Sequence, residues 1–199
     1  LKANFAGTVG QYIYTNNPNV SLNIDNLKGT YNLGEAKLKN YRQPGMPQTA
    51  ASLGLEYRSP EFWWIGANVN YLDHNYLDIS AIMRTDNFFA DGNSGLAIAD
   101  FLDHNGNIVN VRETGREYLK QEKFESILLV NLVGGKSWRV NGKTIGFFAN
   151  INNLFDIEYK TGGFEQGRNA SFMEVYQDHQ GPNRSFGPRY FYGFGRTYM

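Results

Sequence analysis

Charged side chains of both signs are concentrated in one long segment, residues 74–123, which makes it the part of the chain best suited to bind a polar ligand or a partner protein. The candidate residues are Arg84, Asp86, Asp91, Asp100, Asp103, Arg112 and Arg116. No arrangement of Ser, His and Asp accompanies them. We therefore predict no enzymatic activity.

Metal binding has only weak support in the sequence. Residues 103–107, DHNGN, resemble the start of an oxygen-ligand calcium loop, but Thr114 stands where such a loop of about 12 residues ends on an acidic residue. His74, His104 and His179 lack the i, i+4 spacing of a zinc site. The chain contains no Cys, which excludes thiol catalysis and a Cys-ligated metal. We expect no metal and no cofactor.

Composition favours β-structure. Aromatic residues make up 15% of the 199 residues and there are 22 Gly, which is typical of strands and turns. The net charge is zero, so the chain is not expected to bind nucleic acid. With a mean hydropathy of -0.48, it has no apolar run long enough for a membrane-spanning helix.

Two segments alternate between apolar and polar residues with the period of a strand. The apolar positions are Trp63, Ile65, Ala67, Val69 and Tyr71 in the first, and Ile145, Phe147, Ala149 and Ile151 in the second. Asn and Gly residues dominate the positions between them. Each strand thus has one apolar face and one face carrying amides, as a wall between lipid and water requires.

The spacing of the predicted strands alternates between short and long connections. The strands are predicted at 2–15, 49–58, 62–73, 124–140, 143–160 and 189–199. Ser59-Pro60-Glu61 and Asn141-Gly142 form the short connections, and Asn-Gly is a strong hairpin signal. The other connections are far longer than those of a compact soluble domain.

This alternation predicts an all-β fold, an antiparallel transmembrane β-barrel segment with short turns on the periplasmic side and long loops outside. The predicted strands exceed the roughly 9 to 11 residues that a tilted strand needs to cross a bilayer. Trp63, Trp64 and Trp138 lie beside the short turns, where an interfacial aromatic girdle belongs. A soluble sandwich core or a sugar-stacking platform is the alternative interpretation of these three residues.

Residues near the C-terminus resemble a family. One motif resembles the N-L-F-D-x-x-Y motif at the top of the penultimate strand of TonB-dependent outer-membrane receptors. It consists of Asn152, Asn153, Leu154, Phe155 and Asp156, followed by Tyr159. Residues 187–190 and 195–198 resemble the beginning of their last strand. Three further segments are similar to sequences of the receptor branch that carries an N-terminal carboxypeptidase-like regulatory domain. They are residues 55–64, 132–138 and 159–169.

The resemblance covers essentially the whole chain, 1–199, and implies about six C-terminal strands of a larger barrel of about 22 strands. It implies uptake of a nutrient or other ligand across the outer membrane of a Gram-negative bacterium. The partners it implies are outer-membrane lipid, a TonB-type protein acting on a plug not contained in this sequence, and a surface lipoprotein lid. Because the chain begins at Leu1 and stops at Met199 where the family ends on an aromatic residue, we expect the natural protein to extend further.

Two other functions stay open from the sequence. A receptor-like barrel could serve as a subunit of an outer-membrane protein assembly or secretion complex, with the same loops contacting its partners. A soluble β-sandwich could bind carbohydrate through exposed aromatic residues. The sequence does not identify the transported substrate, because specificity depends largely on residues outside these strands.

Overall fold

The computed structural model describes residues 1–24, 29–167, 171–182 and 184–199. The family-like segment at 159–169 therefore extends beyond the described residues. The fold is mostly β, with 46% strand and 13% helix, and its sheets are antiparallel.

Twelve strands and two α-helices make up the described chain. The strands are β1 (Lys2–Val9), β2 (Asn19–Ile24), β3 (Gly29–Glu35), β4 (Thr49–Arg58), β5 (Trp63–Asp73), β6 (Phe101–Leu102), β7 (Ile108–Val109), β8 (Ile127–Val140), β9 (Lys143–Asn152), β10 (Lys160–Phe164), β11 (Arg189–Tyr192) and β12 (Thr197–Tyr198). The helices are α1 (Val111–Tyr118) and α2 (Phe172–Gln180), and two 3-10 turns cover Ile82–Arg84 and Asp86–Phe89. No helix in the described ranges has the length and hydropathy to cross a bilayer.

Six strands form one antiparallel sheet in the order β1-β4-β5-β8-β9-β12. Short turns join β4 to β5 and β8 to β9, and Asn141 (φ 51°) and Gly142 (φ 77°) both adopt the left-handed conformation that a tight hairpin requires. This confirms the predicted Asn-Gly hairpin. The three long connections, residues 10–48, 74–126 and 153–196, all emerge at the opposite end of the sheet.

Three predicted strand boundaries are wrong. The strand predicted at 2–15 ends at Val9, and that predicted at 143–160 ends at Asn152, where Asn153 (φ 50°) turns the chain. The predicted strand 189–199 is two strands. Its first part, β11, pairs with β10 in a separate ribbon, and only β12 joins the large sheet beside β9.

The register places alternate residues of the large sheet on two different faces. The apolar face carries Phe5, Leu53, Ile65, Val69, Leu132 and Phe147 among others. The opposite face, which we call the polar face, carries Asn4, Ser52, Asn68, Asn70, Asn131 and Asn150 together with the apolar Leu72, Leu129, Val133 and Phe148. The alternation read from the sequence in β5 and β9 therefore continues across neighbouring strands.

The long connections pack together into a unit that we call the loop layer, the described residues of 10–48, 74–126 and 153–196. Its larger hydrophobic core joins Phe88 and Val111 to Phe172 and Val175 of α2. A smaller core forms around Ala36, Leu38 and Ile79. The two short helices were missed by the all-β prediction, because eight or nine residues form a stable helix only through such packing.

Candidate functional site

The apolar face of the large sheet is uncovered. The exposed fraction is 74% for Phe5, 57% for Ile145 and 64% for Phe147. Neither hydrophobic core of the described chain contains a residue of this face. A water-soluble sheet would bury these side chains under a second layer.

Aromatic residues mark both ends of the apolar face. Trp63 and Trp138 lie near the short turns, with Tyr57 5.3 Å from Trp63 between ring centroids. Tyr71 lies at the loop end of the same strand, eight residues from Trp63 and so about 26 Å away along the strand. With a strand tilt of 35–45°, the distance between these two aromatic ends along the membrane normal is about 20 Å. The side chains extend beyond their backbone atoms, so this distance is close to the apolar band of about 25 Å in outer-membrane barrels.

Trp64 lies on the other face. It pairs with Gly135, and its ring lies 6.4 Å from that of Phe148 and 5.8 Å from the guanidinium of Arg58. Since neighbouring strand residues point in opposite directions, Trp64 cannot contribute to one band with Trp63 and Trp138. The predicted girdle is corrected to two of its three tryptophans, and their contact with lipid stays a prediction.

The polar face is a surface of amides. Asn68 Nδ2 donates to Ser52 Oγ at 3.1 Å, and Asn131 Oδ1 accepts from the backbone N–H of Asn153 at 2.9 Å. The buried Oδ1 of Asn150 has no hydrogen-bond partner in the described chain. An amide surface of this kind is suited to water or to a polar molecule.

The predicted family motif organises the turn after β9. The side chain of Asn153, 4% exposed, accepts from Ile157 N at 3.0 Å and donates to the carbonyls of Ile157 and Phe194 at 2.9 and 3.2 Å. Asp156 Oδ1 accepts from Arg196 N at 2.7 Å. The motif thus connects the end of β9 to the segment that leads into β12.

The remaining motif residues support the same connection. The backbone N–H of Leu154 donates to Val130 O at 2.8 Å, and Phe155 is exposed. The carbonyl of Tyr159 accepts from Gly193 N at 2.9 Å, and the Tyr159 ring lies directly against Gly193. A side chain at position 193 would require this ring to move.

Arg84 is the one predicted ligand residue that is buried. Its guanidinium forms a two-pronged ion pair with Glu165 and donates to the carbonyl of Leu119 at 2.7 Å. The ring of Tyr41 lies 5.1 Å from it, and Tyr41 Oη donates to the same Leu119 carbonyl. Arg84 therefore joins all three parts of the loop layer.

The other six predicted ligand residues lie towards the surface of the loop layer, and the structure joins Asp86 to Arg112 among them. Asp86 accepts from Lys37 at 2.8 Å and from Arg112 at 3.1 Å, and these two hydrogen bonds lower the pKa of its carboxyl. The remaining residues are Asp91 and Asp103, which close local turns, Asp100, which accepts from Val111 N, and Arg116, which is exposed on α1. A ligand role for these residues stays a prediction.

A small cavity of about 150 Å³ lies between α2 and β11, and the residues that line it include Glu122, Asp178, Arg184 and Tyr190. None of the predicted ligand residues lines it. Tyr190 Oη donates to Glu122 Oε2 at 2.5 Å, and Lys160 Nζ lies 3.6 Å from the centre of the Tyr190 ring. Burial, with this hydrogen bond, raises the pKa of Tyr190 to about 12.

The sequence reasoning missed Glu165, Tyr41 and the helices that position them. A signal for α2 was present, because Ser171 and Glu174 form a capping box of the S-x-x-E type. Asn110 likewise caps α1 by accepting from Glu113 N. Within the described residues, no group of three His, Asp or Glu side chains is arranged to hold a metal ion.

Comparisons with protein-family models, with curated proteins and with solved structures gave no match to this chain.

Proposed function

We propose that this chain forms part of the wall of an outer-membrane barrel, in a TonB-dependent type of receptor that takes up a nutrient or other ligand. The observation that carries the proposal is the uncovered apolar face, continuous over the sheet and opposed to a face of amides. An apolar outside and a polar inside are what a membrane barrel needs.

The size of the apolar face supports the proposal. Five strands spaced about 4.8 Å apart over a height of about 25 Å give a face of roughly 600 Å². Its transfer from water at about 25 cal/mol per Å² contributes on the order of 15 kcal/mol. This matches the whole stability of a typical domain, so the sheet needs an apolar environment that the described chain does not provide.

The sheet is proposed as one arc of a larger wall. In the described chain no strand pairs with the outer edge of β1, and β12 covers only the end of β9. An unpaired backbone group in lipid costs several kcal/mol. Further strands must therefore flank this sheet in the membrane.

The loop layer is proposed to capture or gate the ligand at the outer surface, driven by a TonB-type partner acting on a plug. The soluble carbohydrate-binding sandwich is not proposed, because no second sheet within the described residues covers the apolar face. The loop layer is also suited to bind a surface lipoprotein lid. The alternative is a role as a subunit of an assembly or secretion complex, and the proteins that co-purify with this chain distinguish the two. A stable set of assembly subunits would replace the uptake proposal.

Spin-label scanning of β5 and β9 tests the proposal. Since the 199 residues contain no Cys, single Cys variants can be labelled in the complete protein after incorporation into lipid vesicles. We expect labels at Ile65, Val69 and Phe147 to be relaxed by oxygen, which concentrates in lipid. Labels at Asn68 and Asn70 should be relaxed instead by a water-soluble nickel chelate.

The control is a label at Arg116 on the exposed surface of α1, which should report water in any environment. A chain that remains soluble and monomeric without detergent, or labels that show no period of two, would overturn the proposal.

A further inference from the structure

A cleft of about 480 Å³ lies at the loop end of β1, β4 and β5. The residues that line it are Val9, Gly10, Gln11, Arg42, Gln48, Thr49, His74 and Tyr76. We call it the rim cleft. Its volume lies within the range of about 300 to 1,000 Å³ typical of small-molecule sites.

The rim cleft lies on the same side of the sheet as the apolar face. Val9 and Thr49 pair with each other, and Thr49 pairs with Asp73 on the apolar face. His74 Nδ1 lies 3.1 Å from Thr49 Oγ1 and 3.3 Å from Asp73 Oδ2, which places its ring on this side too. The part of the cleft formed by Val9, Thr49 and His74 therefore lies at the loop end of the apolar face.

Positive charge dominates the cleft. None of the described lining residues is acidic, and Asp73, which contacts His74, is itself paired with Lys123 at 2.9 Å. Within the described chain no carboxylate lies within ion-pair distance of Arg42. Arg42 also lines a neighbouring hollow of about 320 Å³ that contains Lys39. Arg42 and Lys39 thus bring two fixed positive charges to this rim.

The structure fixes the backbone of Arg42 and leaves its charge without a countercharge. Gln121 accepts from Arg42 N and donates to Arg42 O, both at 2.8 Å. The guanidinium lies against the side-chain amide of Gln11, which is neutral. Gln48, 3% exposed, holds the adjoining chain by accepting from Tyr12 N and donating to Tyr12 O. A guanidinium held in this way is suited to bind an oxyanion.

We propose that the rim cleft binds the phosphate of a membrane lipid, with Arg42 as the main contact and Lys39 as a supporting charge. The proposal rests on the proposed function. A lipid is favoured over a free anion because Val9, 84% exposed, and Tyr71, 37% exposed, lie on the apolar face just below the cleft. A phosphate in the cleft would therefore place its acyl chains along that face.

Native mass spectrometry of the complete protein in detergent tests this inference. The probes are dioctanoyl phosphatidic acid, dioctanoylglycerol, which lacks the phosphate, and inorganic phosphate. We expect phosphatidic acid to bind at least tenfold more tightly than dioctanoylglycerol. Inorganic phosphate at the same concentration should not displace it.

Variants locate the site. We expect Arg42→Gln to weaken phosphatidic acid binding at least fivefold. The matched control is Arg139→Gln, which removes an exposed arginine at the turn end of the sheet and should change binding less than twofold. Asp73→Asn, which removes the competing carboxylate, should strengthen binding severalfold.

Three results would overturn the inference: equal weakening by Arg42→Gln and Arg139→Gln, displacement by inorganic phosphate, or equal binding of dioctanoylglycerol. Any of these together with an intact period of two in the spin-label scan would remove the lipid site and leave the barrel proposal standing. Loss of that period would instead remove the barrel proposal.

Discussion

Phenylalanine occupies opposite environments in the two regions of this molecule. In the loop layer Phe172 is 0% and Phe88 1% exposed, with ring centroids 6.3 Å apart. In the large sheet Phe147 is 64% and Phe5 74% exposed. The same residue type is core in one region and surface in the other.

The difference shows that the two regions depend on different partners for stability. The loop layer buries its own apolar side chains between connections that are far apart in the chain. The sheet satisfies its backbone through the ladder, but neither hydrophobic core of the described chain includes a residue of its apolar face. An exposed apolar patch of this extent is typical of an interaction surface.

Truncation of a buried ring gives the largest expected effect. Phe172→Ala removes a side chain that also contacts Phe89 and Tyr176, so it should destabilise the loop layer by about 4 kcal/mol. Hydrogen exchange should show faster exchange throughout α1 and α2 while β4, β5 and β8 stay protected. Phe147→Ala is the control and should leave exchange in the loop layer unchanged. Equal effects of both variants would remove the distinction between the regions.

Loss of one partner of the buried ion pair comes next. Glu165→Gln leaves the Arg84 guanidinium buried without its countercharge, which costs about 3 kcal/mol. Proteolysis should then cut residues 10–48 and 153–196 faster, because both are joined through Arg84. Asp86→Asn removes the charge that pairs with Lys37 and Arg112 at the surface and should cost about 1 kcal/mol. If Glu165→Gln is as mild as Asp86→Asn, Arg84 does not hold the loop layer together.

A charged side chain introduced on the apolar face tests the environment of the large sheet. Val69→Arg should destabilise the protein in lipid by about 2 kcal/mol, since the guanidinium would enter hydrocarbon. Asn70→Arg, one residue further and on the polar face, should be nearly neutral. Urea unfolding in vesicles measures both. A smaller loss for Val69→Arg than for Asn70→Arg would contradict the assignment of the faces.

The smallest effect concerns alkaline pH. Because the folded state raises the pKa of Tyr190 from 10 to about 12, its contribution to stability is complete below pH 10 and is lost as the pH rises towards 12. Tyr190→Phe should lose about 1 kcal/mol at neutral pH. Between pH 10 and 12, the stability of its loop layer should also decline less steeply than that of the unsubstituted protein. Near-ultraviolet circular dichroism measures this decline. Parallel curves for both proteins would show that Tyr190 does not titrate in this way.

The large sheet was predictable because its signals are local. Alternation in β5 and β9 and the Asn-Gly turn are read within a few residues, and the lengths of the connections follow once the strands are placed. The last strand was mispredicted for a reason that is not local. Arg189–Tyr192 has strand-forming residues, but the sequence does not show that β10 is its partner.

The loop layer was less predictable because its structure depends on contacts between distant segments. The charge of Arg84 is visible in the sequence, whereas its pairing with Glu165, 81 residues away, is not. The sequence likewise shows that Arg42 is charged, but only the fold shows that it lines one cleft with His74 and Thr49. The Ser171–Glu174 capping box is the exception, since it marks a helix within four residues.

The junction at Arg84 also bears on how this chain can vary. Tyr41, Leu119 and Glu165 come from three separate connections and meet at one guanidinium. An insertion or a transplanted segment in one connection would displace a contact required by the other two. Exchange of these connections between related chains is therefore expected to succeed only when all three are exchanged together.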